Sequence, residues 1–171
     1  MIDGNGRPVR RDYDRAEITA DAVIHGVGLT LGAVGVAVLI MFVARSPANL
    51  PVAVVYAAGL LAMLGFSAAY NLWPASRIKW VLRRFDHSAI YLLIAATYTP
   101  FMAHMKNGPF ASALLAIMWT VAAVGIVMKL TLPGRFDRLS IVLYLLLGWS
   151  GVMMYDVIAA LPALKIGKSV V

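Results

Sequence analysis

The chain has 171 residues, of which 61% are hydrophobic and only 13% are charged, and its mean hydropathy is +0.82. Soluble domains carry about 25% charged residues, so this composition indicates an integral membrane protein. The chain has no cysteine, which excludes disulfides, thiolate metal sites and cysteine nucleophiles.

Five apolar stretches have the length of transmembrane helices. A helix needs about 20 residues to cross the hydrocarbon core, whereas barrel strands of about 10 residues alternate strictly, and no such alternation occurs here. The sequence therefore predicts an all-α, polytopic transmembrane helical bundle that forms one domain, between an N-terminal tail (1–21) and a C-terminal tail (165–171). The five predicted spans cover residues 22–44, 50–73, 87–105, 109–128 and 139–164.

The basic residues are unevenly distributed between the two sides of the predicted bundle. Eleven of the 15 lysines and arginines fall on the side that carries the N-terminus, and four fall on the other. Cytoplasmic loops are enriched in such residues, so we predict a cytoplasmic N-terminus and, after five spans, an external C-terminus. This asymmetry accounts for the net charge of +7 without a nucleic-acid partner.

Residues 74–86 form the only long loop that the sequence predicts. Its apolar residues follow the spacing of an amphipathic helical turn: Ile78, Val81, Leu82 and Phe85. We expect this segment to lie along the inner membrane surface, where each basic residue gains about 1 kcal/mol from anionic headgroups. An alternative explains the pattern equally well: the basic residues only set the orientation of the chain in the membrane and bind no specific lipid.

Polar side chains occur at the cytoplasmic ends of three predicted spans. Glu17, Asp21 and His25 are spaced by four residues and share one helical face. Ionisable groups within spans usually face a cavity or a partner, so we predict one polar cluster at this depth. Its members are Glu17, Asp21, His25, Ser67, Asn71, Asp86 and His87.

The acidic members of this cluster also have a simpler interpretation. Glu17, Asp21 and Asp86 each lie near a predicted helix start, where acidic residues favour the helix dipole. We prefer the cluster, because three spans bring polar residues to one depth, and we expect Asp86 to pair with His25.

The segment RFDHSAIYLLIAATYTPF at residues 84–101 resembles the third-span signature of the hemolysin III family, the bacterial branch of the progestin and adipoQ receptor superfamily. Glu17, Asp21, His25 and Gly28 resemble the pattern of the family's first span, and YLLLGW at residues 144–149 resembles its fifth. The resemblance implies a location in the bacterial inner membrane. It also implies that Ser67 and Asp86 are catalytic residues that line a metal pocket.

Two departures from the family pattern concern zinc, the metal of the family. The family's second span ends in Ser-x-x-x-His, whereas this chain has Asn71 four residues after Ser67, and a carboxamide is a poor zinc ligand. The family's HxxxH pair belongs to a seventh span, beyond the five predicted here. The cofactor is therefore left unknown, and His25 and His87, with Asp86, are the remaining candidates for a substitute site.

The resemblance implies a role in the membrane itself, either in lipid homeostasis or in a membrane-perturbing, cytolytic activity. The alternatives are a metal-dependent hydrolase of lipid amide or ester bonds, which the missing histidines disfavour, and a structural or assembly subunit. Membrane lipids are the expected partners. The expected assembly is either a homo-oligomer or a complex with a partner that supplies the two further spans.

Overall fold

The computed structural model describes residues 15–103 and 108–132, together with Val142, Leu145 and Trp149. The first two ranges form four α-helices, and each helix packs against the next one along the chain. This arrangement agrees with the predicted all-α bundle. The helices are α1 (Arg15–Val43), α2 (Leu50–Leu72), α3 (Arg77–Ala103) and α4 (Gly108–Thr131).

Three of these helices, α1, α2 and α4, are long and apolar enough to cross a membrane. The predicted count of five spans is not matched by the described residues. The described part of the predicted third span lies within α3, which is less apolar chiefly because five of its first ten residues are charged. The predicted fifth span, residues 139–164, lies outside the described residues apart from three helical positions.

The helix α3 begins ten residues before the start of the predicted third span. The connection between α2 and α3 is shorter than the predicted residues 74–86, because the chain is helical from Arg77 onward and only residues 73–76 connect the two helices; the helical turns predicted at residues 78–85 lie within α3. The Ser76 hydroxyl accepts a hydrogen bond from the Lys79 amide at 3.4 Å, in the manner of an N-cap. No glycine or proline interrupts residues 77–86, so Asp86 lies inside α3 and does not cap it.

The core of the described bundle is centred on α3, which packs against both α2 and α4. At Gly59 of α2, an added Cβ would lie 2.6 Å from the Ala96 Cβ, and at Gly125 of α4 it would lie 2.6 Å from the ring of Tyr91. Small residues allow such close approach of helices in membranes, where packing drives association. The buried residues of α3 are Ser88, Ala89, Tyr91, Ala95, Ala96, Tyr98, Thr99 and Met102.

A polar contact also joins α3 to α4 within this core. The Trp119 indole donates a hydrogen bond to the Thr99 hydroxyl at 3.2 Å, and this hydroxyl donates to the Ala95 carbonyl at 2.9 Å. Both polar groups of the contact are thereby satisfied, as buried polar groups require.

Two basic side chains of α3 bind the ends of its neighbouring helices. Lys79 Nζ donates to the Asn71 carbonyl in the last turn of α2 at 3.4 Å, and Arg84 Nη1 donates to the Leu130 carbonyl in the last turn of α4 at 3.2 Å. The last carbonyls of a helix lack intrahelical partners and carry partial negative charge, so a cation stabilises them. As a result, α2 and α4 end at one level of the bundle, alongside residues 79–84 of α3.

The helix α1 is the least buried of the four, and none of its residues is buried. It contacts α2 where the Leu64 side chain packs at Gly28 and Gly32. Large apolar residues such as Met41 and Phe42 are more than 70% exposed. A helix that is apolar around its whole circumference is suited to a lipid environment.

Candidate functional site

Three residues of the predicted polar cluster contact one another between α1 and α2. Asn71 Nδ2 lies 3.2 Å from His25 Nε2, and Ser67 Oγ lies 3.4 Å from the same nitrogen. All three residues are half-buried. We refer to His25, Ser67 and Asn71 as the His25 group.

The antiparallel register of α1 and α2 explains why these residues meet. Ser67 and Asn71 lie one turn apart on α2, and both face residue 25 of α1. The same register places Leu64 of α2 against Gly28 and Gly32, farther along α1 from its start. Glycine at those two positions leaves room for the leucine side chain, so α1 approaches α2 closely enough for the His25 contacts to form.

The hydrogen-bond partners of His25 indicate which tautomer of its neutral ring the site favours. Its Nδ1 lies 2.7 Å from the Asp21 carbonyl oxygen, which can only accept, so Nδ1 carries the proton. In the neutral ring the single lone pair of Nε2 is then the acceptor; the Asn71 amide donates to it at 3.2 Å, and the Ser67 hydroxyl lies at the longer distance of 3.4 Å. Asn71 Nδ2 also donates to the Ser67 carbonyl at 2.9 Å, which occupies the second hydrogen of the amide. The His25 group is therefore a closed set of hydrogen bonds between two helices.

The other predicted members of the cluster lie outside this group. Glu17 is exposed in the first turn of α1, the position that favours an acidic side chain through the helix dipole. Asp21 contributes its backbone carbonyl to the site. Asp86 and His87 are half-buried on α3, and among the described residues no hydrogen bond joins Asp86 to the His25 group. The expected pairing of Asp86 with His25 is thus absent, because both ring nitrogens of His25 contact other groups.

The His25 group does not have the composition of a zinc site. Within residues 15–103 and 108–132, no three histidine, cysteine or acidic side chains are placed to hold a metal ion. Nε2 of His25 faces the hydrogens of the Asn71 amide, and zinc requires lone pairs from nitrogen, oxygen or sulfur ligands. The described residues therefore do not fit zinc, and the substitute site from His25, His87 and Asp86 is not assembled among them.

Several polar features of the bundle were not anticipated from the sequence. Lys129, in the last turn of α4, is only 6% exposed, and Ser88 of α3 is buried with no hydrogen-bond partner in the described part of the chain. The contacts of Lys79 and Arg84 with helix ends were also missed. Ser76, a good N-cap residue just before Arg77, was a further signal of an early start of α3, beside the helical spacing of the apolar residues at 78–85.

Comparison with known proteins gives matches over most of the chain. The family model described as haemolysin-III related matches residues 15–169. "Hemolysin-3" from Bacillus cereus is 36% identical over 135 residues, which are 78% of this chain and 62% of that protein. "Hemolysin-3 homolog" from Bacillus subtilis (strain 168) is 36% identical over 135 residues, 78% of this chain and 63% of that protein.

A human protein gives a weaker match. "Monocyte to macrophage differentiation factor" from Homo sapiens is 29% identical over 101 residues, 56% of this chain and 42% of that protein. This relative fits the predicted place in the progestin and adipoQ receptor superfamily. The chain thus spans less than two thirds of the length of these curated relatives, and no solved structure matches it. Because the family model covers nearly the whole chain, and both Bacillus proteins align with more than three quarters of it, the chain belongs to the haemolysin-III family of membrane proteins.

Proposed function

We propose that the chain acts within the membrane by perturbing the lipid bilayer, as the name of the Bacillus cereus relative implies for that protein. The observation that carries the proposal is the composition of the His25 group. It is a hydrogen-bonded contact between two helices and lacks the ligands of a metal site. An activity that depends on helix packing in the bilayer needs no such site, whereas metal-dependent lipid hydrolysis does.

Release of an entrapped dye from vesicles tests this proposal. The 171-residue chain is reconstituted into vesicles that contain a self-quenched dye, with and without a metal chelator. We expect release above that of protein-free vesicles, unchanged by the chelator and without lipid cleavage products in the mass spectrum. Absence of release would contradict the proposal. Release that the chelator abolishes, together with cleaved lipid, would favour the hydrolase.

Lipid homeostasis is the second candidate role. The observation in its favour is the cationic start of α3, which lies at the level where α2 and α4 end. A headgroup-level position would expose the protein to changes in lipid charge. The test is the phospholipid composition of cells that express the chain, compared with cells that carry an empty vector. An unchanged composition would contradict this role.

We further propose the bacterial inner membrane as the location, with the N-terminus in the cytoplasm. The count of eleven basic residues against four supports this orientation. Lipids are the proposed partners of the exposed surface of α1. In addition, we propose that a second copy of the chain, or a partner with further spans, covers part of that surface. The mass of the protein in lipid nanodiscs tests this assembly, and a strict monomer would contradict it.

A further inference from the structure

The ends of α2 and α4 locate the membrane surface along α3. Both helices are apolar enough to span a bilayer, and both end beside α3, at the Lys79 contact with Asn71 and the Arg84 contact with Leu130. At a rise of about 1.5 Å per residue, these two contacts lie about 8 Å apart along α3. The first turns of α3, residues 77–85, therefore lie at the headgroup level, where the spanning helices stop.

This part of α3 combines exposed apolar side chains with one exposed arginine, Arg77, and one half-buried arginine, Arg83. Ile78, Trp80 and Val81 are 52%, 57% and 48% exposed. The Arg83 guanidinium lies over the Trp80 ring, 5.7 Å from its centroid, and Arg77 is exposed at the helix start. Apolar side chains of this size favour acyl chains, whereas guanidinium groups favour phosphates. The boundary between headgroups and acyl chains supplies both, and tryptophan is enriched there.

The four basic residues of this segment have two different roles. Lys79 and Arg84 bind helix-end carbonyls inside the bundle. Arg77 and Arg83 bind no helix end, and no carboxylate among the described residues pairs with either of them. The cation–π contact leaves the donors of Arg83 available to a planar bidentate acceptor such as a phosphate.

We propose that Arg77, Trp80 and Arg83 form a binding site for the headgroup of an anionic phospholipid, which we call the α3 lipid site. The two arginines bind the phosphate, and the Trp80 ring packs at the start of the acyl chains. The site deepens the proposed function by naming the lipid class. It depends on the membrane location of α2 and α4, and its test does not involve dye release.

Titration of the detergent-solubilised full chain with phosphatidylglycerol or phosphatidylcholine, followed by native mass spectrometry, tests the α3 lipid site. We expect preferential binding of phosphatidylglycerol, which weakens as ionic strength rises. Arg83→Gln should weaken phosphatidylglycerol binding about fivefold, the effect of one charge near the surface, and weaken phosphatidylcholine binding less, because the choline cation offsets the phosphate charge. Arg45→Gln is the matched control, because it removes an exposed arginine from the turn after α1 and should have little effect.

Equal weakening by Arg83→Gln and Arg45→Gln would overturn the site, since it would show an effect of net charge alone. Competition by glycerol phosphate as effective as that by the intact lipid would also overturn it, because the site requires acyl chains beside Trp80. If Arg83→Gln lowers the melting temperature, Arg77→Gln gives the same test at an exposed position. If the unmodified chain releases dye but shows no preference for phosphatidylglycerol, the α3 lipid site alone is refuted. If it prefers phosphatidylglycerol but releases no dye, the proposed function alone is refuted.

Discussion

Replacement of Gly125 by alanine tests whether α3 and α4 pack as closely as the structure shows. The new Cβ would lie 2.6 Å from Cε1 and Cζ of Tyr91, far inside van der Waals contact. The ring of Tyr91 is 1% exposed and belongs to the buried core, so it has little room to move. Overpacking of this kind costs about 1–3 kcal/mol, and the better helix propensity of alanine offsets up to about 1 kcal/mol. We expect a net loss of about 1–2 kcal/mol in the free energy of unfolding.

Thermal unfolding in detergent, followed by tryptophan fluorescence, measures this loss as a fall in melting temperature of about 2–8 °C. Gly35→Ala is the matched control, because nothing lies within 4 Å of its added Cβ, and it should be neutral or slightly stabilising. Tyr91→Leu removes the clashing ring atoms, so Gly125→Ala should cost much less in that background. Equal stability of Gly125→Ala and Gly35→Ala would refute the close packing of α4 on α3.

The remaining predictions concern the His25 group and the topology. His25→Ala and Asn71→Ala should show a coupling of about 0.6 kcal/mol, the average for hydrogen bonds between membrane helices, in a double-mutant cycle of melting temperatures. His25→Ala and Asp86→Asn should instead be additive, and a coupling as large as that with Asn71 would show that these two residues interact. We expect the unmodified chain to contain little zinc by elemental analysis. Asn71→His should raise the zinc content, because it places a second imidazole beside His25 Nε2. Equal zinc in both proteins would contradict this reasoning. Because the chain has no cysteine, Ser46→Cys should react with an impermeant maleimide outside intact cells and Ser76→Cys should not, and the opposite labelling would reverse the proposed orientation.

Two of the three apolar helices were well predicted because their signal is simple, whereas α1 begins at Arg15, before the predicted start at residue 22. The predicted spans 50–73 and 109–128 lie within three residues of α2 and α4 at each end. The spacing of the apolar residues at 78–85 correctly indicated helical turns there, but the third span was started at residue 87 because the charged residues before it lower the local hydropathy. In the structure these residues are helical, since they lie where spanning helices end and their cations have carbonyl partners there.

The sequence predicted at which level of the bundle the polar residues lie, but not which side of its helix each residue faces. Spacing along the chain correctly brought Ser67 and Asn71 to the level of His25, and the structure joins them. Asp86 was assigned to the same group because it lies at a similar predicted depth. Depth gives no information on which side of its helix a residue faces or which helices are neighbours. In the structure α1 packs against α2. Asp86 belongs to α3, which packs against α2 and α4.

The slight burial of α1 has a consequence for the order in which the bundle assembles. This helix contributes no buried residue, while α3 holds most of the core between α2 and α4. A spanning helix is stable in lipid before it associates with others, so α1 gains little until α2 presents Leu64, Ser67 and Asn71 together. The core formed by α2, α3 and α4 does not depend on a buried residue of α1, so we expect it to assemble with or without α1 in place. The contacts of α1 with α2 include Leu64 packed at Gly28 and Gly32 and the hydrogen bonds of the His25 ring.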